Sequence, residues 1–291
     1  ANAETGAYPE AVRHLLGEMT AASVLMQSNI KFNGALVMQI FGDGPLKLAV
    51  VEVQPDLSLR ATAKVVGELG DASTLPEMVN VNNEGKCAIT LDPLNKMPGQ
   101  QPYQGVVPLF DDQRNKLDKF SDVLQHYMLQ SEQLDTTLVL AANDTTAAGL
   151  LIQRLPVKGE ANLAAQASMG DEDGIGLSED YNRISILAAS LTADELLNLD
   201  AETILRRLFW EEKLLRFEPL QPKFACSCSR ERVSNMIRSL GTDEVESILA
   251  ERGNVEVGCD FCGQQYRYDA VDAAHIFTSA ESQPPAPSSL H

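Results

Sequence analysis

The sequence has few aromatic residues, few basic ones and no long apolar run, and each shortage removes a class of function. Aromatics make up 5% of the chain, with a single Trp, too few for an extended surface on which nucleic-acid bases could stack. Lys and Arg number 23 against 41 Asp and Glu, a formal charge of −18. Such a surface repels phosphate backbones and anionic lipid. The short arginine cluster Arg230-Glu231-Arg232 is interrupted by acid, so no nucleic-acid partner is expected. No segment approaches the roughly 20 continuous apolar residues of a membrane-spanning helix, so no membrane partner is expected either. The N-terminus, Ala1-Asn2-Ala3-Glu4, lacks the basic start and apolar stretch of a signal peptide. It also lacks an initiating Met, which points to a truncated chain. Cysteine is sparse as well: there are 5, of which Cys226, Cys228, Cys259 and Cys262 fall in two close pairs. That usage suits a reducing compartment, where paired cysteines bind metal or do redox chemistry, and the cytoplasm is the expected location.

What is present is enough apolar sequence for a large core and a smaller second unit. Residues 9–30 read as a helix, with Pro9 at its start and Val12, Leu15, Leu16, Met19, Ala22 and Leu25 on a broad apolar face. A meander follows: Gly34–Phe41, the turn Gly42-Asp43-Gly44-Pro45, Leu46–Val53 and Ser58–Val66. Cys87–Leu91 and Tyr103–Leu109 add strands, Asp118–Leu134 a helix, and Thr137–Ala142 and Gly149–Leu155 two more strands. Strands without a βαβ rhythm make the fold α+β: a mixed N-terminal core with an antiparallel sheet, a helical linker and a small C-terminal zinc-binding module.

The boundaries are read as a core over 1–165, a linker over 166–222, a cysteine module over 223–278 and a disordered tail over 279–291. Residues 157–182 are rich in small and acidic residues, as in a mobile boundary. Beyond them, Thr192-x-x-Glu195 has capping-box spacing and Asp200 caps a second helix, stopped by Phe217-Glu218-Pro219. In the module, Ser229 opens a helix through Leu240 and Asp243-x-x-Glu246 opens another that Gly253 ends. Val255–Val257 and Gln265–Tyr268 read as short strands flanking the second cysteine pair.

Cys226-x-Cys228 and Cys259-x-x-Cys262 can together supply a tetrahedral site of four sulfurs for one zinc ion. Gly263 permits the tight turn that brings backbone amides towards the sulfurs. Four thiolates leave no open coordination position, which argues against hydrolytic catalysis. Spacing alone leaves three readings open: a static structural zinc ribbon, a redox sensor, and a thiol–disulfide oxidoreductase. The isolated Cys87, in a strand pattern, reads as a packed thiol. His14 and His126 read as helix-surface residues, and no nucleophilic triad is evident, so the chain is not expected to be an enzyme.

The stretches Phe224-Ala-Cys226-Ser-Cys228-Ser-Arg-Glu-Arg-Val233 and Glu256-Val-Gly-Cys259-Asp-Phe-Cys262-Gly-Gln-Gln-Tyr266 resemble the HslO-type redox-regulated heat-shock chaperones, the 33 kDa heat-shock proteins of bacteria. Phe41-Gly-Asp-Gly-Pro-Leu46, Tyr103-Gln-Gly-Val-Val-Pro108, Ser131-Glu-Gln-Leu134 and Ala148-Gly-Leu-Leu-Ile-Gln153 are similar to core motifs of the same family. The Gln113–Phe120 region and the acidic Gly170–Tyr181 stretch look like insertions, and the family's usual first strand has no counterpart before residue 9. The resemblance implies an ATP-independent holdase for unfolding client proteins. In the reduced form the four cysteines hold one zinc and the linker folds over the core. Oxidation forms Cys226–Cys228 and Cys259–Cys262 disulfides, releases zinc, unfolds module and linker, and yields a homodimer that binds clients. A Cys-x-Cys disulfide closes a very small ring and is readily reduced, which suits a reversible switch. The linker positions taken to bind clients are Leu205, Leu208, Phe209, Trp210, Leu214 and Phe217. They lie in an apolar stripe, from Leu187 to Leu220, that is expected to be covered when folded and adhesive when not.

Overall fold

The computed structural model describes residues 8–97, 99–154 and 179–281. The chain divides into a unit that closes at Phe224 and a second that begins at Ala225. The first contains α1 (Glu10–Asn29), β1 (Gly34–Phe41), β2 (Leu46–Val53), β3 (Ser58–Val65), α2 (Leu75–Val79), β4 (Lys86–Pro93), β5 (Tyr103–Pro108), α3 (Phe120–Glu132), β6 (Thr136–Ala142) and β7 (Ala147–Gln153). It continues through α4 (Glu179–Ala189), α5 (Ala193–Asn198), α6 (Ala201–Leu208) and β8 (Lys223–Phe224). The second holds α7 (Arg230–Leu240), α8 (Thr242–Arg252), β9 (Val255–Gly258), β10 (Gln265–Tyr268) and α9 (Ala270–Glu281).

Six strands in the order β5-β4-β1-β2-β3-β8 form the main sheet of the first unit. All its pairings are antiparallel except β3 with β8. Register follows side-chain alternation: Met38 sits opposite Val51 and Ile89, and Leu36, Met38 and Ile40 are fully buried. A register shift between Leu46 and Leu48 lets Leu46 join the inward set with Ala49, Val51 and Val53.

Helix α1 is buried on more than one side, which explains its broad apolar face. Val12, Leu15, Met19 and Ala22 lie in the same core as the sheet residues Met38 and Val51 and the hairpin residue Leu138. The hairpin β6–β7 comes so close that a Cβ at Gly17 would lie 2.5 Å from the Ala142 Cβ. Glycine at this helical position is therefore a packing requirement rather than a break.

The α+β expectation holds, and the named strands and the first helix stand within two residues of their expected positions. Several local expectations are corrected. The helix capped by Asp200 ends at Leu208, not near Phe217, and residues 209–222 are irregular. The helix expected from Asp243-x-x-Glu246 is present as α8 and ends at Gly253, but it starts one residue earlier and its N-cap is Gly241, whose φ of 91° is a conformation glycine tolerates, rather than Asp243. Residues 179–182 begin α4 rather than belonging to a mobile boundary, while residues 155–178 lie outside the described part. Residues 279–281 continue α9 instead of starting a tail, and the rest of that tail lies outside the described part. His126 is half-buried beside Asp112, 3.9 Å away, not a surface residue.

Candidate metal centre

Cys226 and Cys228 sit on the loop between β8 and α7. Ser229 ends that loop by accepting a hydrogen bond from the Arg232 amide at 3.2 Å, the N-cap its sequence position suggested. The Arg232 guanidinium turns back and donates to the Ser227 carbonyl and hydroxyl, at 3.0 and 2.7 Å. It thereby fixes the loop between the two sulfurs. Cys259 and Cys262 occupy the turn joining β9 to β10. There the Cys259 amide donates to the Gln264 carbonyl at 2.9 Å and the Gly263 amide to the Cys259 carbonyl at 2.8 Å. Gly263 has φ of 74°, the left-handed conformation that closes this turn.

The two loops bring all four Sγ atoms within 4.8 Å of one another, so together they could hold a metal ion. The Cys226–Cys259 sulfurs are 3.6 Å apart and the Cys228–Cys262 sulfurs 3.4 Å. Four sulfurs at about 2.3 Å from one tetrahedral zinc would be about 3.8 Å apart, close to what is seen. Backbone amides complete the fit. The Cys228 amide points at the Cys226 sulfur, those of Phe261 and Cys262 at the Cys259 sulfur, and that of Gln264 at the Cys262 sulfur. Amide donors around thiolates stabilise negative charge.

Burial pushes the Cys226 thiol up, but the Cys228 amide and the surrounding thiols outweigh it and bring it to about 7. Burial with neighbouring thiols raises Cys259, and takes Cys262 to about 12. Cys87 is different: it is fully buried in the sheet core, and burial alone pushes it to about 12, as a packed, unreactive thiol requires.

Two further residues belong to the centre that cysteine spacing could not identify. The Tyr266 hydroxyl donates to the Cys228 sulfur at 3.2 Å. Arg230 lies over the Tyr268 ring at 4.3 Å and donates to the Arg267 carbonyl and to Asp272, clamping α7 to β10 and α9. The signal for Tyr266 was its place four residues after Cys262 in a strand. Nothing local marked its side-chain direction.

The linker helices are docked within the first unit. Leu191, Leu196 and Ile204 are buried in a cluster with Ala141 of β6, flanked by Val139, Ala148 and Leu150. Of the linker positions singled out from sequence, Phe209 is buried and Leu205 and Leu208 are partly covered. Trp210, Leu214 and Phe217 are instead 75%, 53% and 83% exposed. The expectation that the whole stripe is covered therefore fails after Phe209. The helix that would have turned those side chains inward has already ended. Leu205, Phe209, Trp210, Leu214 and Phe217 line an open groove of about 660 Å³. The segment is then tied down at β8: the Lys223 amide donates to the Leu57 carbonyl at 3.2 Å, and its Nζ pairs with Asp56 at 3.0 Å. No helix among the described residues is long and apolar enough to cross a membrane.

Residues 2–269 match the family model described as Hsp33 protein. The chain is 46% identical over 271 residues to the 33 kDa chaperonin of Chromobacterium violaceum, covering 93% of this chain and 83% of that one. It is 43% identical over 273 residues to the 33 kDa chaperonin of Methylobacillus flagellatus, covering 94% and 84%. The crystal structure of the Hsp33 homologue of Thermotoga maritima superposes with a TM-score of 0.70 over 94% of this chain and 87% of that one. At 18% identity it bears on the fold alone. Family model, relatives and fold agree: the chain belongs to the Hsp33 family.

Proposed function

We propose that this protein is an ATP-independent holdase, inactive when reduced and metal-loaded and switched on by oxidation of its four clustered cysteines. The observation that carries the reading is the convergence of four sulfurs in a unit with a thin core. Among the described residues its buried core is Ile237, Val245, Val255, Tyr268, Ala273 and Ile276. So small a core gives a module little margin of its own. Zinc held by Cys226, Cys228, Cys259 and Cys262 would supply roughly 10–16 kcal/mol of folding free energy to such a module.

Oxidation acts on the sulfurs directly. The Cys226–Cys228 thiolates give two electrons to one peroxide, which takes up two protons from solvent, leaving one S–S bond and two waters, and Cys259–Cys262 does the same with a second peroxide. Sulfurs joined in this way no longer hold a metal, so the module loses its main source of stability. The chain is continuous from Cys226 back through β8 to the linker, so unfolding that starts at the cysteines loosens the short β3–β8 pairing next. Release of α5 and α6 from β6 and β7 then uncovers Leu205, Leu208 and Phe209 beside the already open Trp210, Leu214 and Phe217. Acidic residues among these apolar ones keep the released segment in solution while it holds an unfolding client. On this reading the segment over 166–222 is the redox-sensitive linker, the oxidised protein is a homodimer, the location is cytoplasmic, and no turnover is involved.

The test is light scattering from a thermally unfolding enzyme such as citrate synthase. The oxidised, metal-free protein suppresses aggregation and the reduced, metal-loaded protein does not. Equal protection by both forms contradicts the switch and returns the module to a static zinc ribbon. Turnover of an insulin disulfide substrate would make it an oxidoreductase. Peptide mapping of the oxidised protein decides between the proposed pairing and the cross-pair alternative, Cys226–Cys259 with Cys228–Cys262.

A further inference from the structure

A separate site lies in the core unit, in a pocket of about 190 Å³ reached from α1, β4, β5, α3 and β7. Its walls are mostly apolar, with Met26, Ile89 and Leu151 among them, and the polar side chains on its lining are Asn29, Gln153, Tyr103, Tyr127 and Glu132. Both tyrosine hydroxyls donate to the same carboxylate oxygen, Oε1 of Glu132, at 3.2 Å from Tyr103 and 3.0 Å from Tyr127. The arrangement depends on a glycine: a Cβ at Gly105 would lie 2.4 Å from the Tyr127 hydroxyl oxygen. Tyr127 is 2% exposed, whereas Tyr103 is 53% exposed.

Three features define what would fit. The volume is close to that of an engineered cavity of about 150 Å³ that takes up benzene, so the apolar part is one ring or its aliphatic equivalent. The carboxylate repels anions and accepts donors. Among the described residues no Lys, Arg or His lines the pocket, and Oε2 of Glu132 takes no hydrogen bond there. The Glu132 charge, then burial, raises Tyr103. Burial, then that charge, raises Tyr127. Both hydroxyls therefore remain donors to Oε1 and leave Oε2 for a ligand.

We propose that this pocket binds a compact organic cation, an ammonium group on a six- to seven-carbon apolar body, with the ammonium on Glu132 and the body among Met26, Ile89 and Leu151. The site goes beyond the redox reading and does not depend on it.

Titration of the full reduced chain with cyclohexylmethylammonium, followed by methionine-methyl NMR, tests it. The Met26 and Met128 methyls should shift. The ammonium should bind at least about tenfold more tightly than cyclohexylmethanol, the worth of one charged hydrogen bond, and cyclohexanecarboxylate should not bind. Glu132→Gln should bring ammonium and alcohol within about twofold of each other. Leu151→Trp should abolish binding of both, with Ile89→Phe as a second filling variant if the first fails to fold. Equal affinity for ammonium and alcohol in the native protein, shifts confined to other methionines, or an ammonium preference surviving Glu132→Gln would each overturn the proposal.

Discussion

The two units of this chain are held together by different means. In the first, α1 lies in a continuous apolar core with a six-stranded sheet and a hairpin, and Val12, Met19, Leu36, Met38, Ile40 and Val51 are all fully buried. In the second, Ile237, Val245 and Tyr268 are almost fully buried, yet among the described residues the hydrophobic cluster is small, while four sulfurs converge at one point. A unit that depends on burial responds to temperature and denaturant. One that depends on a thiol cluster also responds to chelation and oxidation. The contrast explains how one end of a chain can unfold selectively while the other keeps its structure.

The largest way to break the contrast is to remove the metal. A strong chelator should unfold residues 225–281, with β8 and the linker helices α5 and α6 following, and leave α1 and β1–β7 folded, since the module loses a term of about 10 kcal/mol or more. Limited proteolysis should then cut within α7–α9 and in the released α5–α6 segment while a fragment containing α1 and β1–β7 persists. Cleavage spread evenly over both units would erase the distinction. Conversely, Met19→Ala should destabilise the first unit by about 3 kcal/mol, as for a fully buried side chain, and leave metal affinity unchanged. Urea unfolding with a parallel metal titration checks both halves of that statement.

Glu18 sharpens the comparison through pH. Burial, only partly opposed by Lys119, raises its carboxyl to about 7 from an ordinary value near 4.5. The folded state therefore prefers the protonated form. This contribution to stability is complete below about pH 4.5 and is lost as pH rises through about 7. Glu18→Gln should stabilise the first unit at pH 8 by at most about 3 kcal/mol and have little effect at pH 4, measured by urea melts at the two values. An equal effect at both would show that the carboxyl does not titrate with folding.

Smaller effects belong to the edges of the two regions. Tyr266→Phe removes the hydroxyl that donates to the Cys228 sulfur and should weaken metal binding by about tenfold, read by competition with a chromophoric chelator. Trp210→Ala should change stability by less than about 0.5 kcal/mol, because the ring is 75% exposed, yet lower protection of a heat-unfolding client.

Much of this was legible from sequence wherever the determinant was local. The α1 helix, the β1–β2–β3 meander, the Thr192–Glu195 capping box and the Ser229 cap all rest on spacing a few residues long, and all are present. The four cysteines were legible because their spacing is itself the chemistry. What escaped depended on distant partners or on weak local signals. Strand β8 is two residues long and exists because Leu57 and Asp56 receive it. Helix α9 starts from Asp269, which accepts from the amides of Val271 and Asp272, a cap easily taken for part of a turn. The exposed run from Trp210 to Leu220 was misread because apolar content was equated with burial. Where α6 stops, at Leu208, decided otherwise. Tyr266 and the Glu132 pocket are side-chain convergences that no spacing encodes.

The measurement closest to the central claim is one peroxide titration at raised temperature, with free thiols, released metal and client aggregation read on the same sample. Of the 5 cysteines, the four in the cluster should disappear and Cys87, buried and held protonated, should remain. Metal release and protection against aggregation should rise together with that loss. Protection that is already full before thiols are lost, or that stays absent after all four are oxidised, would contradict the account.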